Sequence, residues 1–322
     1  MYPKICLTVC LSVLLFTPLA TASAQAPAAN PTPQELLKQS KRIVFLGDSI
    51  TAAGEYVADF DAWLLTQGLE KIPVVINVGL PSETVSGLSE DGHAGGAFPR
   101  PDLAERLDRV LKVTKPDLVV ACYGMNCGIY LPFDEGRLKK YQEGIKHLKE
   151  AVEKAGAKLV LVTPPFYDDL RSPRDFSYNG VLDRYAQWLL EQRQAGWMVA
   201  DLHVPMTKEV AKRRMADPKF TFQPDGVHPN SAGHWFVAQR VIAWFGDESA
   251  TTAATPEEFF QAKKLPAEVL PLVKQRANLL RDSYVGTAGH KRPGVAKGLP
   301  LPEAEQKAAE LTEKIKHAIA PK

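Results

Sequence analysis

A three-layer α/β domain on a five-stranded parallel sheet, followed by a helical C-terminal extension, is the fold class the sequence predicts. Two observations predict it. Between residues 42 and 245, short apolar runs alternate with longer amphipathic stretches. The apolar runs also lack polar alternation, as expected of strands buried on both faces of a parallel sheet. Repeated strand–helix units close into layers through right-handed crossovers. At 322 residues and 45% hydrophobic content, the chain is long enough to bury one substantial core and carry an appendage.

The N-terminus has the form of an export signal. Lys4 supplies a positive start, Ile5 to Leu19 is mostly apolar, and Ala22-Ser23-Ala24-Gln25-Ala26 offers small-residue cleavage sites. Cleavage after Ala24 is expected, with residues 1–24 as signal peptide and the mature protein periplasmic or extracellular. An uncleaved anchor is the rival, but the run is short for a bilayer. Val9, before Cys10, is too large for the usual lipoprotein pattern. No integral membrane contact is expected once the signal is removed. Residues 25–33 form a Pro/Ala-rich lead-in, expected to be disordered.

Residues 34–246 carry the main domain. Its expected strands are Arg42–Leu46, Val74–Val78, Leu118–Tyr123, Leu159–Thr163 and Met198–Asp201, all rich in Val, Leu, Ile or Ala. Amphipathic stretches near Tyr56–Thr66, Leu103–Val113, Glu135–Ala155 and Val181–Gln194 lie between them, and Ser231–Phe245 gives a last helix. Residues 247–322 form the extension. Thr251–Pro256 resembles a linker with a helix start, helices follow near Ala267–Asp282 and Glu303–Ile319, and Tyr284 to Pro300 is expected to be a loop. Thin in apolar residues, this tail is expected to pack on the main domain.

A formal charge of +2, with dispersed lysines and arginines, argues against a nucleic-acid partner. Cys6 and Cys10 lie in the signal; Cys122 and Cys127 are expected to be two separate thiols. The histidines are scattered, HExxH is absent and no phosphate-binding glycine loop appears, so neither metal nor cofactor is expected.

The chemistry gathers at the strand ends. Gly47-Asp48-Ser49 follows the first strand, where a serine hydroxyl stands at the open end of the sheet before a helix N-terminus. Asp225-Gly226-Val227-His228 supplies an imidazole to accept the serine proton and a carboxylate to fix its tautomer. The Ser49 N–H, the Asn126 amide in Gly124-Met125-Asn126, and backbone N–H groups in Asn77–Thr84 are candidates to stabilise an oxyanion. These blocks together resemble the SGNH hydrolases of the GDSL esterase superfamily. Gly47-Asp48-Ser49-Ile50 matches the first block, Gly124-Met125-Asn126 the third, and Asp225-Gly226-Val227-His228-Pro229 the fifth. The resemblance implies a flavodoxin-like sheet, Ser49, Asp225 and His228 as catalytic triad, and Asn126 in the oxyanion hole.

Two positions depart from the family pattern. Ser82 stands where the second block presents glycine, with Gly79 as fallback donor, and Cys127 stands where aspartate follows the asparagine. The second change removes an expected hydrogen bond that would steady Asn126. The expected activity is hydrolysis of a small acyl ester, acetyl above all, on a carbohydrate, with an acylated small molecule or polysaccharide as substrate. Aromatic residues in Tyr130–Phe133, Phe166-Tyr167 and Phe176–Tyr178 line a sugar cleft or pack the loops. A lipid or aryl esterase, a noncatalytic glycan-binding protein, and a glycosidase using Asp48 or Glu83 are the alternatives. Oligomeric state is not legible.

Overall fold

Five strands, β1 (Arg42–Gly47), β2 (Val74–Asn77), β3 (Leu118–Cys122), β4 (Lys158–Val162) and β5 (Met198–Ala200), form one parallel sheet in the order β2-β1-β3-β4-β5. The computed structural model describes residues 1–4 and 31–320. The expected signal peptide beyond its first residues, its cleavage site and most of the lead-in lie outside these described residues. Strand order reverses between β1 and β3, which opens a crevice at their carboxyl ends. Each expected strand is present, with ends displaced by about one residue.

Side-chain alternation assigns the two helical layers. Ile43 and Phe45 of β1 face a layer of α1 (Pro33–Gln39), α3 (Glu55–Leu64), α7 (His203–Arg214), α8 (Ser231–Trp244) and α9 (Pro256–Ala262). Val44 and Leu46 face α4 (Leu107–Thr114), α5 (Glu135–Lys154) and α6 (Tyr178–Glu191). The short α2 (Ser49–Ala53) follows β1 directly.

Several sequence expectations need correction. Pro33, placed in the lead-in, begins α1, with Thr32 capping the helix through Glu35 N–H. Helix α7 was not expected, because Pro205 resembles a breaker and only His203, Met206 and Val210 are buried along it. Pro205 lies in the first turn, where a missing N–H costs nothing. The expected loop at Tyr284 begins only after Ala288. Helix α10 (Val269–Ala288) continues through Gly286 because Tyr284, Val285 and Ala288 are buried against the second layer.

The extension is built into the fold. Leu270, Val273 and Ala277 of α10 join one core layer, while Leu280, Tyr284, Val285 and Ala288 join the other. Helix α10 packs along β2, an edge strand of the sheet, and against α11 (Leu301–Ile319). Covering that strand removes a template for intermolecular pairing. No helix among the described residues is long and apolar enough to cross a membrane.

A buried ion pair fixes the loop after β2. The Arg106 guanidinium forks Glu83, with Nε 2.6 Å from Oε1 and Nη2 2.7 Å from Oε2. Tyr123 O–H donates to Glu83 Oε2 at 2.6 Å, and Arg106 Nη2 also reaches Val78 O at 2.8 Å. Both charged side chains are fully enclosed. Burial opposes the charge on Arg106, but Glu83 outweighs it and holds the guanidinium above its usual range. Removing one partner of such a pair leaves an uncompensated charge. Glu83→Ala is therefore expected to cost about 3–5 kcal/mol in urea unfolding; a loss below about 1 kcal/mol would show that the pair does not hold the loop.

Asp59 on α3 is also buried, and its Oδ1 has no hydrogen-bond partner among the described residues. Burial raises its carboxyl to about 7, against about 3.9 in an unfolded chain. The folded state thus keeps a proton that the unfolded state releases, and stability falls as pH rises through that interval. Asp59→Asn is expected to raise Tm at pH 8 and to change it little at pH 4; equal shifts at both would refute the assignment.

Candidate active site

Ser49 occupies the first position of α2, immediately after the Asp48 cap, whose side chain accepts from Ile50 N–H at 3.0 Å. Position N1 has no acceptor within the helix, so its N–H points outward. Burial pushes the Asp48 carboxyl up to about 6, opposed by the Ile50 N–H and by His228. The strand-to-helix turn needs glycine for space: a Cβ on Gly47 would lie 2.0 Å from Thr51 Oγ1 and 2.8 Å from Cys122 O. The far end of α2 is braced from two directions. Asn77 Nδ2 donates to Thr51 O at 2.6 Å, and Arg281 Nη1 of α10 donates to Ala52 O at 3.0 Å.

His228 reaches the same point from a turn nearly 180 residues downstream. Asp225 Oδ1 accepts from the backbone N–H of Val227 at 2.9 Å and of His228 at 2.7 Å, which shapes the turn. Asp225 Oδ2 lies 2.7 Å from His228 Nδ1, and His228 Nε2 lies 2.9 Å from Ser49 Oγ. Burial alone would raise the Asp225 carboxyl, but the hydrogen bonds from His228 and Val227 outweigh it and hold it below the usual carboxylate range. An Nδ1–H donated to an ionised carboxylate leaves Nε2 as an acceptor facing a hydroxyl. That arrangement can take a proton from Ser49. Both side chains are about half exposed, so the pair stands at the rim of the cleft.

On the other side of Ser49, Asn126 is buried and held at both ends of its amide. Nδ2 donates to Glu83 O at 3.2 Å, and Oδ1 accepts from Tyr130 O–H at 3.0 Å. One Nδ2 proton remains. Tyr130 thus supplies the steadying contact that the cysteine substitution at 127 removes. Its position is over-determined: the ring stacks on Tyr178 at 4.8 Å, and Tyr178 O–H donates to Met125 O at 2.8 Å. Ile129 and Tyr130 both adopt left-handed backbone, φ 47° and 55°. Such conformations cost about 1–3 kcal/mol and persist where surroundings enforce them.

Ser82 also has a left-handed backbone, φ 69°, at the position where glycine is usual in the second block. Its N–H has no hydrogen-bond partner among the described residues. The Gly79 N–H, the fallback donor, is already given to Asn77 Oδ1 at 2.9 Å and is not available. Gly79 has a packing role instead, since a Cβ there would lie 2.5 Å from Ala52 N. Cys127 is fully enclosed, and burial pushes its thiol up to about 12, so it offers no accessible thiolate to the cleft. Cys122 and Cys127 are separate thiols, as expected.

Ser49, Ser82, Asn126, Tyr130, His228 and Arg292 share one cavity of about 580 Å³. Of the aromatic segments expected near a cleft, Tyr130 lines it, whereas Phe166, Tyr167 and Tyr178 are buried packing residues. Glu83 is committed to Arg106, and Asp48 to its cap. Sequence reasoning missed the braces Asn77 and Arg281 and the holding role of Tyr130. Asn77, just before the second block, was the one with a local signal.

The sequence model of the GDSL-like lipase/acylhydrolase family matches residues 45–236. No curated protein matches the chain. Among solved structures, BT4096, a gut microbial diltiazem-metabolizing enzyme, is 26% identical with a TM-score of 0.51; the match covers 65% of this chain and 47% of that one, about half its length. The acetyl xylan esterase AlAXEase is 20% identical with a TM-score of 0.51, over 63% of this chain and 98% of that one. A catalytic mutant of Axe2, an acetylxylan esterase from Geobacillus stearothermophilus, is 22% identical with a TM-score of 0.49, over 64% and 94%. With the family model spanning more than half its length, this chain belongs to the GDSL-like lipase/acylhydrolase family and is a carboxylic ester hydrolase.

Proposed function

We propose that this chain is an exported serine esterase that removes a small acyl group, acetyl above all, from a carbohydrate. The observation that carries the reading is the unbroken line from Ser49 Oγ through His228 Nε2 and Nδ1 to Asp225 Oδ2. His228 takes the Ser49 proton as Oγ bonds to the ester carbonyl carbon, and Asp225 stabilises the resulting imidazolium. The negative charge on the carbonyl oxygen meets the Ser49 N–H, the Ser82 N–H and the remaining Asn126 Nδ2 proton. Collapse breaks the bond to the alcohol oxygen, which receives the proton from His228. Water then attacks the acyl-enzyme by the same route, freeing the acid and restoring Ser49.

The cleft favours a polar alcohol. Arginine, histidine, asparagine, serine and tyrosine are most of its lining residues, and Pro81, Ile129, Leu131 and Val227 supply an apolar wall for the acyl group. A volume of about 580 Å³ suits a sugar unit with its acyl group better than an extended lipid chain. An acetyl xylan esterase shares the fold, which is consistent with this choice without dictating it.

Ser49→Ala is expected to lower turnover of p-nitrophenyl acetate and of acetylated oligosaccharides by at least about 10³-fold. Unchanged turnover would remove Ser49 from the mechanism, and a preference for butyrate over acetate would point to longer acyl chains. Tyr130→Phe keeps the ring packing but frees one end of Asn126. Its kcat is expected to fall about tenfold, less than the roughly 10²–10³ of losing a fixed oxyanion donor outright, with a smaller change in KM. A kcat equal to wild type would mean that Asn126 needs no such support.

A further inference from the structure

The loop between α10 and α11 is drawn over the cleft and pinned at both ends. Arg109 Nε donates to Ala288 O at 2.8 Å, while Gly298 N–H reaches Asp282 O at 3.2 Å and Ser283 O–H reaches Leu299 O at 2.8 Å. From this loop Arg292 stacks on Phe98, its guanidinium carbon 5.3 Å from the ring centre. Arg292 lines the 580 Å³ cavity and also a neighbouring lobe of about 400 Å³, and both reach Ser49.

Three guanidinium groups line the larger lobe, and their charges are not equally matched. Arg100 is forked by Glu90, with Nε–Oε2 at 2.6 Å and Nη2–Oε1 at 2.5 Å, so that pair is neutral overall. Arg174 donates to uncharged acceptors, Tyr167 Oη at 3.2 Å and Tyr130 O at 3.1 Å. Arg292 donates Nη1 to Pro293 O at 2.7 Å, also uncharged. Among the described residues neither Arg174 nor Arg292 has a carboxylate within ion-pair distance, and Asp225 is committed to His228. The lobe beside the nucleophile therefore holds two surplus positive charges. Each is fixed by stacking, Arg174 at 5.3 Å from the Tyr130 ring centre and Arg292 on Phe98, which orients the planar fork in advance.

We propose that the acyl ester this enzyme cleaves carries an anionic group, a carboxylate or sulfate on the sugar, which Arg292 and Arg174 bind beside the scissile bond. The proposal rests on Ser49 being the nucleophile and assigns the C-terminal extension a part in substrate selection. Guanidinium forks match planar carboxylates and sulfate oxygens in a way that scattered lysines do not. A neutral xylan unit would leave both charges unanswered.

The test compares kcat/KM for an O-acetylated methyl galacturonoside with that for its neutral methyl ester. A second arm compares an acetylated galactoside sulfate with its unsulfated form. At least about tenfold preference for one anionic member is expected, the size of one hydrogen bond to a charged group. Arg292→Gln and Arg174→Gln should each reduce that anionic-to-neutral ratio about tenfold, and the arm showing the preference identifies the group. Equal kcat/KM for charged and neutral members would overturn the proposal and leave the role of Ser49 intact. If no ester is cleaved, calorimetry on Ser49→Ala decides. Tighter binding of a galacturonate oligosaccharide than of its methyl ester, or of a galactoside sulfate than of its unsulfated form, keeps the anion site and removes the acetyl-sugar reading, whereas equal binding in both pairs removes the anion site too.

Discussion

A five-residue helix cannot hold itself together in water, yet here one carries the candidate nucleophile and aims its free N–H at the reaction point. Everything else around Ser49 follows from the need to immobilise α2. Gly47 lets Thr51 fold down over the strand end, and Asp48 caps the first turn. Thr51 Oγ1 lies 2.8 Å from Tyr56 Oη in the next helix. Asn77 from β2 adds a second donor to Thr51 O, which also accepts from Gly54 N–H, and Arg281 from α10 donates to Ala52 O. The helix is thereby fixed by contacts from both neighbours in space, rather than by its own hydrogen bonds.

The opposite wall of the cleft is stiffened by other means. Glu83 sits at the centre of a buried network: its carboxylate engages Arg106 and Tyr123, while its backbone carbonyl receives the Asn126 amide. One residue thus ties the loop after β2 to the loop after β3, across the reversal in strand order. Ser82, next to it, is held in a backbone conformation that serine tolerates poorly. The strain at Ser82, Ile129 and Tyr130 lies on the two loops that frame the site, where a rigid surrounding can sustain it.

How much of this the sequence revealed depends on how local each signal was. The strands were legible because full burial on both faces leaves unbroken apolar runs; the candidates Ser49 and Asn126 stand in short motifs after β1 and β3, and Asp225 and His228 in a short motif on the turn before α8. Helix α7 was obscured by its narrow apolar stripe and its proline. The end of α10 was obscured by Gly286, whose cost is offset by the burial of its neighbours. The sequence marks Tyr130 as an aromatic of the candidate cleft, but its bond to Asn126 depends on a left-handed turn that no residue there announces. Arg281 and Arg292 gave no sign at all, since an arginine on a helix or loop usually faces solvent and only tertiary packing brings these two to the cleft. The loss of aspartate at position 127 suggested a loosened Asn126; a tyrosine three positions on restores the restraint from another direction.

The brace from Arg281 to Ala52 spans 229 positions in the chain. During synthesis, which proceeds from the N-terminus, the turn that carries Ser49 leaves the ribosome long before its stay exists. Full bracing of α2 therefore waits until α10 has docked. By the same reasoning, trimming the residues after 236, which follow the family-matched segment, would remove the Arg281 stay from α2 while leaving Ser49, Asn126, Asp225 and His228 in the chain.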